Sequence, residues 1–221
     1  MRNSNLTLAV PDGFIVFISG VPGVGKSTIS YELLKRNEEF RIIEETDIMR
    51  ETLRGFSDYI KDEFKDKVKF VFDKIEIIDY LIPLTIEESV RHCTHMYRSL
   101  ENIIIKQQRK GISSIINGVH IVPHILYEFA KNQKTIFINL YINNERELYS
   151  RIIKRDPNSY LVSHLPVIFK TNKDLHIKTL EINNDNEFAF NSIDITSLSV
   201  TETLEEVEMC IKKLINIRHA K

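Results

Sequence analysis

The residues with the clearest chemistry form a glycine-rich loop near the start of the chain. Residues 20–27, Gly-Val-Pro-Gly-Val-Gly-Lys-Ser, match the phosphate-binding loop pattern G-x-x-x-x-G-K-[ST]. In such a loop, backbone N–H groups surround phosphate oxygens, the lysine reaches the β- and γ-phosphates, and the last hydroxyl contacts Mg²⁺. The pattern therefore predicts a nucleotide site in which Lys26 is catalytic and Ser27 is the metal ligand.

The sequence on either side of the loop supports this interpretation. An apolar run at 14–18 precedes it and a helix-like segment at 28–35 follows it, as the motif requires, and three of the chain's 7 glycines lie in it. A tight strand-to-helix turn without a ligand is the alternative. We predict nucleotide binding by nine consecutive residues: Gly20, Val21, Pro22, Gly23, Val24, Gly25, Lys26, Ser27 and Thr28.

A second charged group follows the next apolar run. If a helix begins at Asp47, then Arg50 and Arg54 fall on the same face. Guanidinium groups bind phosphate or carboxylate bidentately, and an aspartate can orient a hydroxyl or take its proton. The spacing predicts a site for an anionic phosphoryl acceptor, with Asp47 catalytic as well as substrate-binding. The alternative is a capping aspartate followed by a solvated charged face.

Three arginines recur in a later helical segment: Arg146, Arg151 and Arg155. Arginines brought in by a closing lid can neutralise the charge that spreads over a phosphoryl group in transfer. Arg151 and Arg155 are four residues apart and can share a helix face, so we predict a catalytic role for both. Arg146 can instead pair with a nearby glutamate at the surface.

Histidines occur in two close pairs, His92 with His95 and His120 with His124. Neither pair has the spacing of a zinc site, so ordinary hydrogen-bonded histidines are the favoured interpretation. His120 follows the third predicted strand, which places it near the γ-phosphate. We therefore predict that His120 and the strand-terminal Asn117 contact the substrate.

Composition excludes several classes of protein. The chain has 221 residues, with 30 Lys and Arg against 31 Asp and Glu, and its net charge of −1 provides no overall basic field for binding nucleic acid. Its two cysteines are far apart in sequence, and no apolar stretch is long enough to span a membrane. We expect a cytoplasmic protein without disulfides, with no nucleic-acid or membrane partner.

The pattern of apolar runs predicts the fold. β-branched runs alternate with helical segments, which indicates an α/β domain with a parallel sheet of five strands flanked by helices. Ligands bind at the carboxyl ends of such strands. We predict a single domain over 1–221, with a helical substrate arm at about 56–110 and a lid at about 146–184. The predicted strands are 14–19, 41–44, 112–117, 135–141 and 188–195.

Three segments together carry a family resemblance: the phosphate loop, residues 46–51 (Thr-Asp-Ile-Met-Arg-Glu) and residues 115–123 (Ile-Ile-Asn-Gly-Val-His-Ile-Val-Pro). They resemble the 2-phosphoglycerate kinase family of P-loop kinases, which includes the mevalonate-3-phosphate 5-kinase type, and the G-V-H-x-V-P segment is the specific part. The resemblance implies a core of the nucleoside-monophosphate-kinase type, with ATP and Mg²⁺ as cofactors. It implies a small anionic metabolite as acceptor, and adenine near Arg151 and Asn191.

One departure from the family pattern affects the expected chemistry. An acidic residue usually stands where this chain has Asn117, and an amide cannot supply the negative charge that binds hydrated Mg²⁺. Those duties would shift to Ser27, Asp47 or Glu45. The departure keeps open a nucleotide-binding regulatory ATPase or switch without an acceptor. A nucleic-acid 5′-kinase is a further alternative, which would need a basic groove that the near-neutral charge does not indicate.

Overall fold

Five parallel strands form the centre of the protein. In the computed structural model, which describes residues 8–64, 82–130, 134–183 and 189–219, the sheet order is β2-β3-β1-β4-β5. The strands pair in parallel throughout, and the predicted α/β fold with five parallel strands is confirmed. Their bounds are β1 (Ile15–Ser19), β2 (Phe40–Glu45), β3 (Ser113–Gly118), β4 (Thr135–Tyr141) and β5 (Phe190–Asp194).

Helices cover both faces of the sheet. Their apolar sides pack on strands that are buried along their whole length, as in β1, β3 and β4. Strands β1 and β4 accordingly consist mostly of apolar residues, whereas β3 also buries the polar Ser113, Ser114 and Asn117. The described helices are α1 (Lys26–Arg36), α2 (Thr46–Phe64), α3 (Ile86–Arg109), the short α4 (Tyr127–Ala130), α5 (Glu145–Arg155), a 3₁₀ turn (Tyr160–His164), α6 (Leu165–Asn183) and α7 (Val200–His219).

The strand ends meet along one edge of the sheet. Ser19 at the end of β1 lies opposite Gly118 at the end of β3, and Glu45 at the end of β2 lies opposite Asn117. On the other side, Tyr141 at the end of β4 lies opposite Asp194 at the end of β5. Strand β1 lies between β3 and β4, so the segments that follow β3 and β4 run to opposite sides of it. They leave a crevice above the loop that follows β1.

The segment predicted as a lid contributes to the core. Ile168 and Leu175 of α6 are almost fully buried, and Asn172 bonds both the N–H and the carbonyl of Ile142 just after β4, at 3.4 and 2.7 Å. The helix is therefore one of the layers that cover the sheet. Closure of the segment over a ligand stays a prediction.

The segment predicted as a substrate arm is described in part. Met96 and Leu100 of α3 are fully buried, so this helix belongs to the packed core. Residues 65–81 of the predicted arm lie outside the described residues. Within the described part of the chain, no helix is both long and apolar enough to cross a membrane.

Candidate nucleotide and acceptor site

The glycine-rich loop connects β1 to α1 and opens the helix without a side-chain cap. Gly25 is the residue before the helix; its φ of 87° is left-handed, and no atom lies within 4 Å of where its Cβ would be. At Gly20, with φ of 140°, a Cβ would lie 2.7 Å from the carbonyl oxygen of Leu140. The first turn of α1 also lacks acidic residues. Its uncapped N–H groups and positive helix end can therefore bind an anion.

Lys26 lies half-buried within this loop. Its Nζ donates to the Val21 carbonyl at 3.0 Å. Burial lowers its pKa to about 8; the Asp47 carboxylate opposes this shift, Arg155 adds to it, and Glu45 also opposes it. The ammonium group is thus near a residue of the predicted acceptor group and a residue of the predicted lid.

Two adjoining cavities extend from the loop. One, of about 470 Å³, is lined by Gly23, Gly25, Lys26, Ser27, Thr28, Arg151 and Arg155. The other, of about 430 Å³, shares the glycines and both arginines and continues to Ile195, Leu198, Ser199, Val200 and Thr203. The first has the basic and hydroxyl groups expected around phosphates, and the second has the more apolar lining expected around a base.

Arg151 ties α5 to the segment that follows β5. Its Nε donates to Glu147 Oε1 at 2.7 Å, and its Nη2 donates to the Ile195 carbonyl at 2.9 Å. Arg155 is exposed, lines both cavities, and makes no ion pair with any residue in the described part of the chain. Arg151 is therefore held in place, whereas Arg155 can move toward a ligand.

Asn191 lies deeper in the sheet than the resemblance implied. It is the second residue of β5 and pairs with Ile138, three positions before the strand-end pair of Tyr141 and Asp194. The chain that lines the cavity begins at Ile195. The predicted strand 188–195 contains β5, but the residues of this segment that line the cavity come after the strand has ended.

His120 is fully buried beside the start of α2. Its Nδ1 shares a hydrogen bond of 2.9 Å with the Thr46 hydroxyl and lies 3.6 Å from Asp47 Oδ1, while its ring stacks on His92 with centroids 5.4 Å apart. Burial is the largest of the causes that lower the pKa of His120 to about 3, and charge interactions with Arg50, His92 and Lys26 also contribute. The ring is therefore neutral at physiological pH, and its hydrogen bond to Thr46 holds the first residue of α2 against the end of β3.

Gly118 allows this close approach. Its φ is 155°, and a Cβ at this position would collide with the Thr46 side chain. The strand end of β3 and the first residue of α2 can therefore be in contact only because position 118 has no side chain. This explains why the turn after Asn117 carries a glycine.

Arg50 and Arg54 lie next to each other on α2, as the spacing predicted, and both bind Glu51. Arg50 is nearly buried, and its Nη2 donates to Glu51 Oε1 at 2.8 Å. Arg54 Nη1 donates to the same oxygen at 3.1 Å, and its Nη2 pairs with Glu51 Oε2. The sequence interpretation missed Glu51, although its spacing of three residues from Arg54 could have indicated the pair.

Asn117 connects β3 to the first helix. Its Nδ2 donates to Ser30 Oγ at 3.0 Å, and Ser30 Oγ donates to the Lys26 carbonyl at 2.9 Å. The amide is only 2% exposed. Its N–H group therefore supports the helix that begins at Lys26, and the carboxylates that influence the Lys26 pKa belong to Asp47 and Glu45.

The sheet order, with a phosphate-binding loop between β1 and α1, defines a P-loop kinase fold. No family model matches the chain. The solved structure of a gluconokinase from Sinorhizobium meliloti 1021 superposes with a TM-score of 0.58 at 15% identity, covering 94% of this chain and 97% of that one. At that level of identity the likeness concerns the fold.

Sequence comparison adds two curated relatives. The chain is 26% identical over 210 residues to the 2-phosphoglycerate kinase of Methanococcus vannielii. The aligned region covers 87% of this chain and 62% of that protein. It is 28% identical over 162 residues to the mevalonate-3-phosphate 5-kinase of Thermoplasma acidophilum, covering 68% of this chain and 76% of that protein. The chain thus spans less than two thirds of the first relative. The predicted resemblance to these small-molecule kinases is confirmed.

Proposed function

We propose that the protein is an ATP-dependent phosphotransferase that moves the γ-phosphoryl group to a hydroxyl of a small, already phosphorylated acid. The acceptor would be of the 2-phosphoglycerate or mevalonate 3-phosphate type, the substrates named for the curated relatives. One observation carries the proposal. The helix that carries Asp47 and the acceptor arginines begins at Thr46, directly after β2, at the same sheet edge where the phosphate loop leaves β1. The two halves of a transfer site would therefore lie side by side.

The nucleotide would lie along the two adjoining cavities. The loop N–H groups and Lys26 would hold the β- and γ-phosphates, and Arg151 would lie beside the base, since it is bonded to the chain after β5. Arg155 would reach the γ-phosphate from the exposed side. Because this arginine has no ion pair among the described residues, it can bind the phosphate without losing another partner.

The residues present fit a Mg²⁺ ion bound mainly through the nucleotide. Ser27 is an exposed hydroxyl in the first turn of α1, and the described residues contain no group of three His, Cys, Asp or Glu side chains that could hold a metal alone. When bound, Mg²⁺ would neutralise charge on the β- and γ-phosphates. Ser27 would hold it, and Asp47 or Glu45 would contact its waters in place of the amide at Asn117.

The acceptor would bind between α2 and the loop after β3. Arg50 and Arg54 would hold its anionic groups, and Asp47, the second residue of the same helix, would accept the proton of its hydroxyl. The hydroxyl oxygen then forms a bond to the γ-phosphorus while the bond to the leaving oxygen of ADP breaks. Lys26 and Arg155 would stabilise the charge on the transferring group.

A coupled ADP-release assay with Mg·ATP tests the proposal against an acceptor panel. The panel contains 2-phosphoglycerate, mevalonate 3-phosphate, sugar acids and nucleoside monophosphates, with Lys26→Ala as the inactive control. Release stimulated by one phosphorylated acid and lost in the control supports the proposal. Release that no acceptor stimulates would favour a regulatory ATPase instead. Arg50→Ala should raise the acceptor KM far more than the ATP KM, whereas equal effects would remove Arg50 from the acceptor site.

A further inference from the structure

Glu51 occupies the position between the two acceptor arginines. Its Oε1 accepts from Arg50 Nε at 3.3 Å, from Arg50 Nη2 at 2.8 Å and from Arg54 Nη1 at 3.1 Å, and its Oε2 pairs with Arg54 Nη2. Both guanidinium groups thus direct two N–H groups at one carboxylate. This is the arrangement in which arginines recognise a carboxylate or phosphate of a ligand.

The three side chains differ in their contact with solvent. The side chain of Arg50 is 8% exposed, that of Arg54 is 25% exposed, and that of Glu51 is 41% exposed. The guanidinium groups are therefore anchored against the protein, while the carboxylate is the member that water reaches most easily. An ion pair with so exposed a partner is weak, because water screens it. Glu51 can consequently rotate away when another anion approaches.

We propose that Glu51 is an internal competitor for the anion site of the acceptor, which an acceptor anion displaces when it binds. The inference rests on the proposed function, since it takes Arg50 and Arg54 as acceptor-binding residues. The N–H groups that face Glu51 become available to a ligand only when Glu51 moves away. Glu51 therefore lowers the apparent affinity of this site for every anion by the same factor.

A phosphate displaces Glu51 at a lower concentration than a carboxylate does. A carboxylate on the acceptor would replace the Glu51 carboxylate one for one, with the same charge and similar hydrogen bonds. A phosphate carries a charge of about −1.5 to −2 at neutral pH and offers three acceptor oxygens. It therefore gains more from two guanidinium groups than Glu51 loses.

Glu51→Gln tests the inference, because the amide keeps the shape of the side chain and removes its charge. Binding of 2-phosphoglycerate and of glycerate, which lacks the phosphate, is measured by calorimetry on the full chain saturated with Mg·ADP. We expect the variant to bind glycerate and 2-phosphoglycerate more tightly by the same factor, about threefold to tenfold, because both ligands displace the same competitor. Unchanged or weaker binding of both, or a gain for only one of them, would overturn the inference.

A matched control separates this effect from the loss of any helical ion pair. Glu101 on α3 pairs with Arg98 Nη1 at 2.7 Å with the same spacing of three residues, and Glu101→Gln should leave both affinities unchanged. A change as large as that of Glu51→Gln would count against the inference. If Glu51→Gln lowers the melting temperature, Glu51→Ala is measured as a second variant, and the same gain for glycerate is expected.

ADP release by the unaltered protein, measured in parallel, tests the proposed function separately from the role of Glu51. No turnover with any acceptor, together with tighter glycerate binding in Glu51→Gln, would refute the proposed function and leave the role of Glu51 standing. Turnover of 2-phosphoglycerate, together with weaker binding of both compounds in the variant, would support the function and overturn the role of Glu51.

Discussion

Nucleotide affinity should fall as the pH rises through 8, because Lys26 must carry its proton to bind phosphate. Burial, the largest cause, lowers the pKa of this lysine from 10.5 to about 8. In the ligand-free protein a large part of Lys26 is therefore neutral at pH 8, and nearly all of it at pH 9. Bound phosphates restore the higher pKa, because a neighbouring negative charge favours the ammonium form.

The size of the effect follows from the two protonation states. With a free-protein pKa of about 8 and a much higher pKa in the complex, the apparent Kd for Mg·ADP rises about tenfold between pH 7 and pH 9. The charges around Lys26 predict how substitutions move the curve. Asp47→Asn should shift the rise to lower pH, since Asp47 raises the pKa, and Arg155→Ala should shift it to higher pH.

Titration calorimetry with Mg·ADP at half-unit steps from pH 7 to pH 9.5 measures this dependence. Lys26→Ala should bind weakly at every pH and lose the dependence. Lys35→Ala is the matched control, because Lys35 is an exposed lysine in the same helix whose Nζ pairs with Glu32 at 2.7 Å. It should retain the tenfold rise. A Kd that stays constant to pH 9.5 in the unaltered protein would refute the assignment of Lys26 as a buried, phosphate-binding ammonium group.

Three further predictions concern stability and nucleotide binding. Gly118→Ala should destabilise the protein by at least about 1 kcal/mol in urea unfolding, because the new Cβ would collide with Thr46 at a φ of 155°. Gly55→Ala should instead stabilise the protein by about 0.5–1 kcal/mol, because Gly55 lies in α2 with open space around it. Equal effects of the two substitutions would contradict this geometry. Between pH 7 and pH 5 the unaltered protein should lose about 2 kcal/mol more unfolding free energy than His120→Gln. The pKa of His120 is about 3 in the folded state and 6.5 in the unfolded state, so only the unfolded state takes up the proton in this range. Equal losses in both proteins would contradict the conclusion that His120 is buried in its neutral form. Arg151→Ala should raise the ATP KM about tenfold in initial-rate assays and leave the acceptor KM unchanged, and a selective rise in the acceptor KM would place the arginine elsewhere.

The sequence predicted the strands and the phosphate loop well, because each depends on local pattern. The largely apolar run of 135–141 matches β4 at both ends, and the glycines and Lys26 follow β1 as the motif requires. The face shared by Asp47, Arg50 and Arg54 was also readable, because helical spacing fixes it once the helix start is known.

Tertiary contacts account for what the sequence did not reveal. The position of Asn191 depends on the register of β5 against β4, which a local pattern does not encode. From the sequence, Glu51 is indistinguishable from an ordinary surface glutamate. Only the structure shows that Arg50 is buried beside it. The helix at 165–183 falls in the segment predicted as a lid, and the packing of its apolar residues on β4 and β5 is a tertiary contact that the local sequence does not show.

Phosphorus NMR of the complete reaction tests the central claim most directly, because it detects the transferred group itself. The unaltered protein and Lys26→Ala are incubated with Mg·ATP and either 2-phosphoglycerate or mevalonate 3-phosphate. We predict that one acceptor yields a new phosphomonoester signal that grows in step with ADP and is absent in the variant. ADP accompanied only by inorganic phosphate, with both acceptors unchanged, would contradict the account and identify the protein as a nucleotide hydrolase.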